Sequence, residues 1–287
     1  MGAVTTTREK VMAEPTAIDQ IRKLGEELLE LIFPPVCLLC ERPGREVICA
    51  SCREQFALIE PPYCVRCGRP LPESAATATV CGQCRQSPPQ FDGARAVGLH
   101  SATLREAVLR FKFARRQRLV KPLAELLAER VGMEQTAPAG LPWENLTGVV
   151  PVVLHPRRRN WRGFDQAVLL SRRLAKLIDL PCREQVLVRS KDTAPQIGLT
   201  PPQRRDNMKD AFAVPQPEVV AGESLLLIDD VYTTGSTLNE AAKVLHRAGA
   251  KSVWALTITC AMPSWHPQVG QQLGDEEDLQ AAERVGI

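Results

Sequence analysis

Two sets of residues in this 287-residue chain have types and spacings that suit chemistry. The first is an acidic pair, Asp229-Asp230, followed by a small hydroxyl-rich loop, Val231-Tyr232-Thr233-Thr234-Gly235-Ser236-Thr237. The second is four Cys-x-x-Cys pairs: Cys37/Cys40, Cys49/Cys52, Cys64/Cys67 and Cys81/Cys84. The loop suits a phosphate. Gly235 lets backbone N–H groups approach closely, and the hydroxyls of Thr233, Thr234, Ser236 and Thr237 add donors. Two carboxylates beside it would repel a bare phosphate. They suit a ligand that also carries hydroxyls, because ionised carboxylates only accept hydrogen bonds. The implied ligand is a sugar phosphate with vicinal hydroxyls. The competing reading is that Asp, Ser and Thr merely cap a helix here.

A Cys-x-x-Cys turn places two thiolates on one side of a tight loop. Two such turns complete a tetrahedral Zn²⁺ site with no open position, hence a structural one. Eight ligands allow two ions. Sequential sharing joins 37/40/49/52 and 64/67/81/84, and interleaved sharing is equally open. So regular a pattern argues against a secreted disulfide framework. The segment is too short for its own core, so metal must supply much of its folding energy. Its arginines, Arg42, Arg45, Arg53, Arg66, Arg69 and Arg85, read either as a nucleic-acid surface or as a solvated face.

The elements that must position these groups follow from periodicity. Residues 225–228 form an apolar run that suits a strand buried on both faces, and helical spacing begins at Leu238 and ends at Gly249. The acidic pair and the loop therefore lie at the carboxyl end of a strand, where ligands of parallel sheets bind, and at a helix N-terminus, which favours phosphate. Further strands are predicted over 94–99, 146–154, 187–188 and 252–260. Helices are predicted from Ser101 and over 120–131 and 164–177, with a loop at 132–147 and a polar excursion at 189–210. This alternation predicts an α/β fold with a doubly wound parallel sheet. Four regions are expected: a disordered tail (1–15), a helix from Thr16 plus the cysteine module (16–88), the sheet domain (89–263) and an acidic flexible tail (264–287).

A net charge of +3 excludes a global nucleic-acid signature, so any basic surface must be local. Two local patches exist. One holds Arg110, Lys112, Arg115, Arg116 and Arg118 with Phe111 and Phe113; the other holds Arg157, Arg158, Arg159 and Arg162 with Trp161 and Phe164. Such patches suit phosphate neutralisation plus base stacking, unless the aromatics are core and the arginines solvated. No dinucleotide or Walker glycine motif occurs. No membrane span and no signal peptide is read, so a cytoplasmic location is expected by default.

The stretch 225–238, LLLIDDVYTTGSTL, resembles the phosphoribosyl-pyrophosphate (PRPP) motif of type I phosphoribosyltransferases. The resemblance implies that Asp229 and Asp230 are catalytic residues holding the ribose 2′ and 3′ hydroxyls, and that 231–237 surround the 5′-phosphate. Residues 28–262 resemble the ComF family of competence-associated proteins. The carrying segments are FPPVCLLC, RFKFARR, VVPVVLHPRRRNWRGFDQAVLLSRRLA, RSKDTAPQIGLTPPQRRDNMKDAF and the central motif. Family members usually carry Asn at the position of Asp165 and Pro at that of Val153. The family implies a type I phosphoribosyltransferase-like sheet with an N-terminal double zinc ribbon. It implies PRPP or ribose 5-phosphate with Mg²⁺ as ligands, with His155, Arg157, Arg158, Arg204 and Arg205 on the pyrophosphate side. It also implies handling of single-stranded DNA during natural transformation, with a DNA-uptake helicase or a recombination mediator as partner. The alternatives are a phosphoribosyltransferase of nucleotide metabolism with an unread acceptor, and a non-catalytic PRPP-sensing DNA-binding protein. A PRPP-responsive transcription regulator is disfavoured, since no clear helix-turn-helix precedes the sheet.

Overall fold

The computed structural model describes residues 34–76, 79–113, 116–137, 140–193 and 200–262. The expected helix from Thr16, both expected tails and Arg115 lie outside the described residues. The strands are β1 (Gly93–Leu99), β2 (Gly148–Pro151), β3 (Val188–Arg189), β4 (Phe212–Ala213), β5 (Ser224–Tyr232) and β6 (Ser252–Cys260). The helices are α1 (Ala50–Arg53), α2 (Gly82–Gln86), α3 (Ala102–Lys112), α4 (Val120–Thr136), α5 (Pro156–Arg162), α6 (Gln166–Leu177), α7 (Pro201–Met208) and α8 (Ser236–Arg247). Four strands form an all-parallel sheet in the order β1-β6-β5-β2, and β3 and β4 form a small antiparallel pair.

Successive side chains of a strand point to opposite faces. In β5 and β6 both faces are apolar, and each packs into its own core. Leu226, Ile228, Leu256 and Ile258 join Leu104, Leu123 and Leu170 of α3, α4 and α6. Leu225, Leu227, Val253 and Ala255 join Leu238, Ala241 and Leu245 of α8, with Met208 of α7 and Cys64 and Cys67 of the cysteine segment. This is the expected parallel sheet flanked by helices. Among the described residues no helix is long and apolar enough to cross a membrane.

Three elements differ from expectation. β5 does not stop at Ile228 but runs on to Tyr232, because its pairing with β6 continues to Tyr232 opposite Cys260. The carboxylates are therefore strand residues. The basic stretch after β2 folds as α5, with His155 as N-cap and Pro156 in the first turn, where a missing N–H costs nothing. The 189–210 excursion contains α7, opened by a capping box of Thr200 and Gln203.

The cysteine segment covers the free edge of β1. Ile59 N–H donates to the Val97 carbonyl at 3.0 Å, Leu99 N–H to Ala57 at 2.7 Å, and Ala94 N–H to Arg66 at 2.8 Å. This pairing satisfies backbone groups that an open edge would expose. Behind it lies a buried charge cluster. Glu134 is only 2% exposed and takes Arg95 Nε on one carboxylate oxygen at 2.7 Å. Its other oxygen accepts from the Tyr63 hydroxyl at 2.7 Å and forms an ion pair with Arg130, 2.7 Å from Nη2. Both guanidiniums lie over the Tyr63 ring, at 4.7 and 4.9 Å from its centre. They also donate to the carbonyls of Val65 and Ile59. The helix read to end near 131 continues to Thr136 and carries Glu134 into this cluster.

Removing one member of a buried ion pair leaves an uncompensated charge and costs about 3–5 kcal/mol. The Glu134→Ala variant is therefore expected to lose stability of that order in urea denaturation. A loss under about 1 kcal/mol would mean that the cluster does not hold the cysteine segment to the sheet.

Candidate functional site

The thiols fall into two clusters, Cys37/Cys40/Cys49/Cys52 and Cys64/Cys67/Cys81/Cys84, and within each the sulfurs lie within 4.8 Å of one another. Sharing is thus sequential. The residues fit zinc: a tetrahedral ZnS₄ centre with Zn–S of about 2.3 Å has S···S edges of about 3.8 Å. The observed separations are 3.9 Å for Cys37–Cys52, 3.7 Å for Cys40–Cys49 and 3.8 Å for Cys67–Cys81. Backbone N–H groups also point at the sulfurs, from Leu39 and Cys49 to Cys37 and from Cys81 to Cys64. Four sulfurs in each cluster leave no open ligand position, so the metal's role is structural.

At the carboxyl end of β5 the two carboxylates differ. Asp230 is 4% exposed. Its Oδ1 pairs with Lys112 Nζ at 2.8 Å, and its Oδ2 accepts from Gln166 Nε2 at 2.9 Å. Burial opposes its ionisation, but Lys112, Arg162 and Gln166 outweigh that and hold the carboxyl below the usual range. Asp229 is half-buried, and its Oδ1 accepts the Asp230 N–H at 2.8 Å. Burial first, and the neighbouring Asp230 charge second, push its carboxyl up to about 8. Two adjacent carboxyls are thus driven in opposite directions, Asp229 up and Asp230 down.

Beyond them the chain turns at Gly235, whose φ of 82° is left-handed and whose position as N-cap of α8 leaves that helix with no side-chain cap. A β-carbon there would strike the Tyr232 ring at 2.6 Å. Thr234 Oγ1 accepts from the Ser236 N–H and lies 2.8 Å from Ser236 Oγ. Neither carboxylate caps α8, so the helix-cap reading of the acidic pair does not hold. The first-turn N–H groups and the helix dipole face the loop instead.

Three arginines from two elements lie in the region of the carboxylates, Arg189 buried and Arg158 and Arg162 half-buried. Arg162, at the end of α5, lies over the Phe113 ring at 5.1 Å; burial lowers its pKa, as does Arg158, against the pull of Asp230. Arg158 donates to the Thr193 carbonyl at 2.6 Å and is likewise lowered by burial. Arg189 of β3 is 8% exposed; burial first and Arg158 second bring it down to about 10. These guanidiniums are partly desolvated, and Arg158 disfavours the charge on both Arg162 and Arg189, a tension that an anion among them would relieve.

The structure places the other expected residues as follows. His155 and Arg157 both pair with Asp192, at 3.4 and 3.0 Å, beside Arg158. Arg204 is buried on α7, and Arg205 is exposed there. Arg110 bonds Glu106 and the Leu38 carbonyl, joining α3 to the first cysteine loop. Lys112 and Arg162 belong to the carboxylate site rather than to a surface stripe. Phe111 is fully buried and packs on Phe164 with ring centres 5.5 Å apart, so these aromatics are core. Arg116, Arg118 and Arg159 are exposed, and Trp161 is 56% exposed. Gln166 is not legible in the sequence as a site residue, and Arg189 is legible only as one of the arginines of the polar 189–210 excursion. The R-G-F-x-Q spacing was the available signal for Gln166, because Asp165 accepts from Ala167 and Val168 N–H as the N-cap of α6 and sets Gln166 at its start. A cleft of about 550 Å³ opens against Leu154, Phe164, Asp165, Val168, Leu187 and Arg189, sharing Asp165 and Arg189 with this region.

A parallel sheet with a phosphate-type loop at one strand end, joined to paired four-cysteine clusters, defines a phosphoribosyltransferase-fold protein with a double zinc ribbon. Residues 28–85 match the double zinc ribbon domain, and residues 163–267 match the phosphoribosyl transferase domain. A DNA utilization protein from Salmonella typhi is 34% identical over 238 residues, covering 80% of this chain and 99% of that one. Competence protein F from Haemophilus influenzae is 36% identical over 181 residues, covering 61% and 77%. The chain belongs to the ComF (competence protein F) family. Among solved structures it is similar to the glutamine PRPP amidotransferase of B. subtilis, at 15% identity and a TM-score of 0.36, over 61% of this chain and 38% of that one.

Elemental analysis is expected to find two zinc ions per chain, and chelation should unfold the cysteine segment; metal-free protein with disulfides would refute the zinc sites. The Asp229 carboxyl has a second consequence. Its folded pKa of about 8 lies above the unfolded carboxylate value, so the unfolded state binds fewer protons and stability falls as pH rises from about 4 to about 8. The Asp229→Asn variant does not titrate. Its melting temperature should exceed the parent's by a margin that grows across that window and then levels off. A constant margin would contradict the raised pKa.

Proposed function

We propose that this protein binds PRPP, or ribose 5-phosphate, together with Mg²⁺ at the end of β5, and that it serves the handling of single-stranded DNA in DNA uptake. One observation carries the reading: the uncapped loop, the unlike carboxylate pair and the desolvated arginines converge on one end of the sheet. In this reading the 5′-phosphate rests on the 233–237 loop, and Asp229 and Asp230 hold ribose hydroxyls. Pyrophosphate lies toward Arg158, Arg162 and Arg189, whose mutual repulsion it relieves. When bound, Mg²⁺ supplies charge neutralisation of the pyrophosphate, and Asp229, the more exposed carboxylate, is the residue to hold it. The reaction class such a site serves is transfer of phosphoribose with loss of pyrophosphate. The cleft beside Asp165 and Arg189 is the place for an acceptor.

The DNA side of the proposal draws support from the relatives' names, which speak of DNA utilization and competence. It also rests on the exposed cations of α5, Arg157 and Arg159, beside exposed Trp161.

Calorimetry with PRPP, with and without Mg²⁺, tests the pocket. Parent protein should bind, and with Mg²⁺ present Asp229→Asn should bind about tenfold or more weakly, because the amide cannot become the charged ligand that the carboxyl becomes when Mg²⁺ displaces its proton. In the same instrument, single-stranded DNA affinity should fall steeply with salt, and Arg157→Gln/Arg159→Gln should reduce the salt slope by about two. No heat with millimolar PRPP and Mg²⁺ would end the pocket reading, and salt-insensitive DNA binding would end the other.

A further inference from the structure

Arg69 stands just past the Cys64/Cys67 turn and is only 7% exposed. Gly68 before it has φ of +68°, and a β-carbon there would strike the Ala94 carbonyl oxygen at 2.3 Å, so this turn presses against β1. The Arg69 side chain then leaves the cysteine segment. Its Nη2 donates to the carbonyl of Thr233, within the phosphate-type loop, at 2.6 Å. Its Nη1 donates to Gln83 Oε1 at 2.9 Å, and Gln83 lies inside the Cys81/Cys84 turn. The guanidinium also lies over the Tyr232 ring, 4.9 Å from its centre. One side chain is thus held by both turns of the second cysteine cluster and holds the start of the loop.

The peptide geometry gives this contact its meaning. In a planar trans peptide the C=O and the following N–H point in opposite directions. Fixing the Thr233 carbonyl on Arg69 therefore turns the Thr234 N–H away from the cysteine segment. If that peptide flipped, an oxygen would replace a donor on the loop's other side. Tyr232 completes the stack. Its ring packs edge-on against Phe91 at 6.1 Å and lies where a side chain at position 235 would go.

We propose that Arg69 is the positioning residue of the phosphate loop, and that the second zinc site, by fixing Arg69, fixes the donor array for a sugar phosphate. The consequence for ligand affinity rests on the sugar-phosphate reading; the positioning does not. Amide hydrogen exchange on zinc-loaded, full-length protein separates the two. In Arg69→Ala, protection at 233–237 should fall while 225–228 stay protected and two zinc ions remain. Arg69→Lys, which retains a donor for the Thr233 carbonyl but not the two-pronged grip, should recover part of the loop protection. Ribose 5-phosphate with Mg²⁺, as the probe, should bind Arg69→Ala at least tenfold more weakly than parent. Unchanged loop exchange in Arg69→Ala would overturn the proposal, and so would loss of zinc and core protection together with it. Should Arg69→Ala fail to fold, Gln83→Ala decides, by raised or unchanged loop exchange. If the parent itself ignores ribose 5-phosphate, the sugar-phosphate reading fails, while loop exchange still tests Arg69.

Discussion

Burying a carboxylate charge is costly unless it is paired and hydrogen-bonded, and Asp230 imposes that condition on half the molecule. It sits near the end of a strand covered on both faces, so water cannot solvate it. Its partners must come from the helices around the strand end. Lys112 comes from α3, Gln166 from α6, and the charge of Arg162 from α5. Each partner needs its own placement. Phe111 and Phe164, packed together, fix the end of α3 against the start of α6. Gly163, left-handed at φ 84°, ends α5 so that the chain enters α6 at Gln166 after only Phe164 and Asp165. The two segments that look most like surface basic patches are therefore the supports of one buried acid.

The cysteine segment faces a different constraint. It has too little apolar mass to fold alone, and its order comes from thiolate clusters and from the sheet it covers. The Glu134 cluster and the Ala57 and Ile59 backbone pairing fasten it along the whole of β1. Arg69 then carries the contact across the sheet top to Thr233. The zinc ribbon is a wall of the loop rather than an appendage.

Elements whose own side chains are buried on both faces were legible in the sequence. β6 was read with its true limits, and the alternation of strands and helices predicted the sheet. The cysteine clusters were legible because thiol spacing is itself the ligand geometry. Less could be read where burial depends on partners distant in sequence. Local pattern cannot tell a lysine on a solvated helix from one whose ammonium reaches a buried aspartate 118 positions later, as Lys112 does. The same holds for Arg110, taken up by the first cysteine loop, and for Phe111, taken up by the core. α5 is not legible in the sequence because 155–162 has no apolar periodicity; a proline in the first turn and a left-handed glycine at the end make it a helix.

The resulting site holds two electrostatic tensions of opposite sign. Burial and its neighbour's charge push the Asp229 carboxyl up and disfavour its ionisation. Arg158, Arg162 and Arg189 are kept charged although burial and one another disfavour it. The two cannot cancel, because the arginines are anchored elsewhere: Arg158 on Thr193, Arg162 over Phe113, and Arg189 on Thr193 and over Phe212. A simple anion would relieve only the arginines, and a simple cation only the acid. A molecule that presents negative oxygens on one side and hydroxyls or a bound cation on the other relieves both at once. Under the proposed function, specificity would come from the spacing of these two regions rather than from any single strong contact, and the helix packing around Asp230 would set that spacing before a ligand arrives.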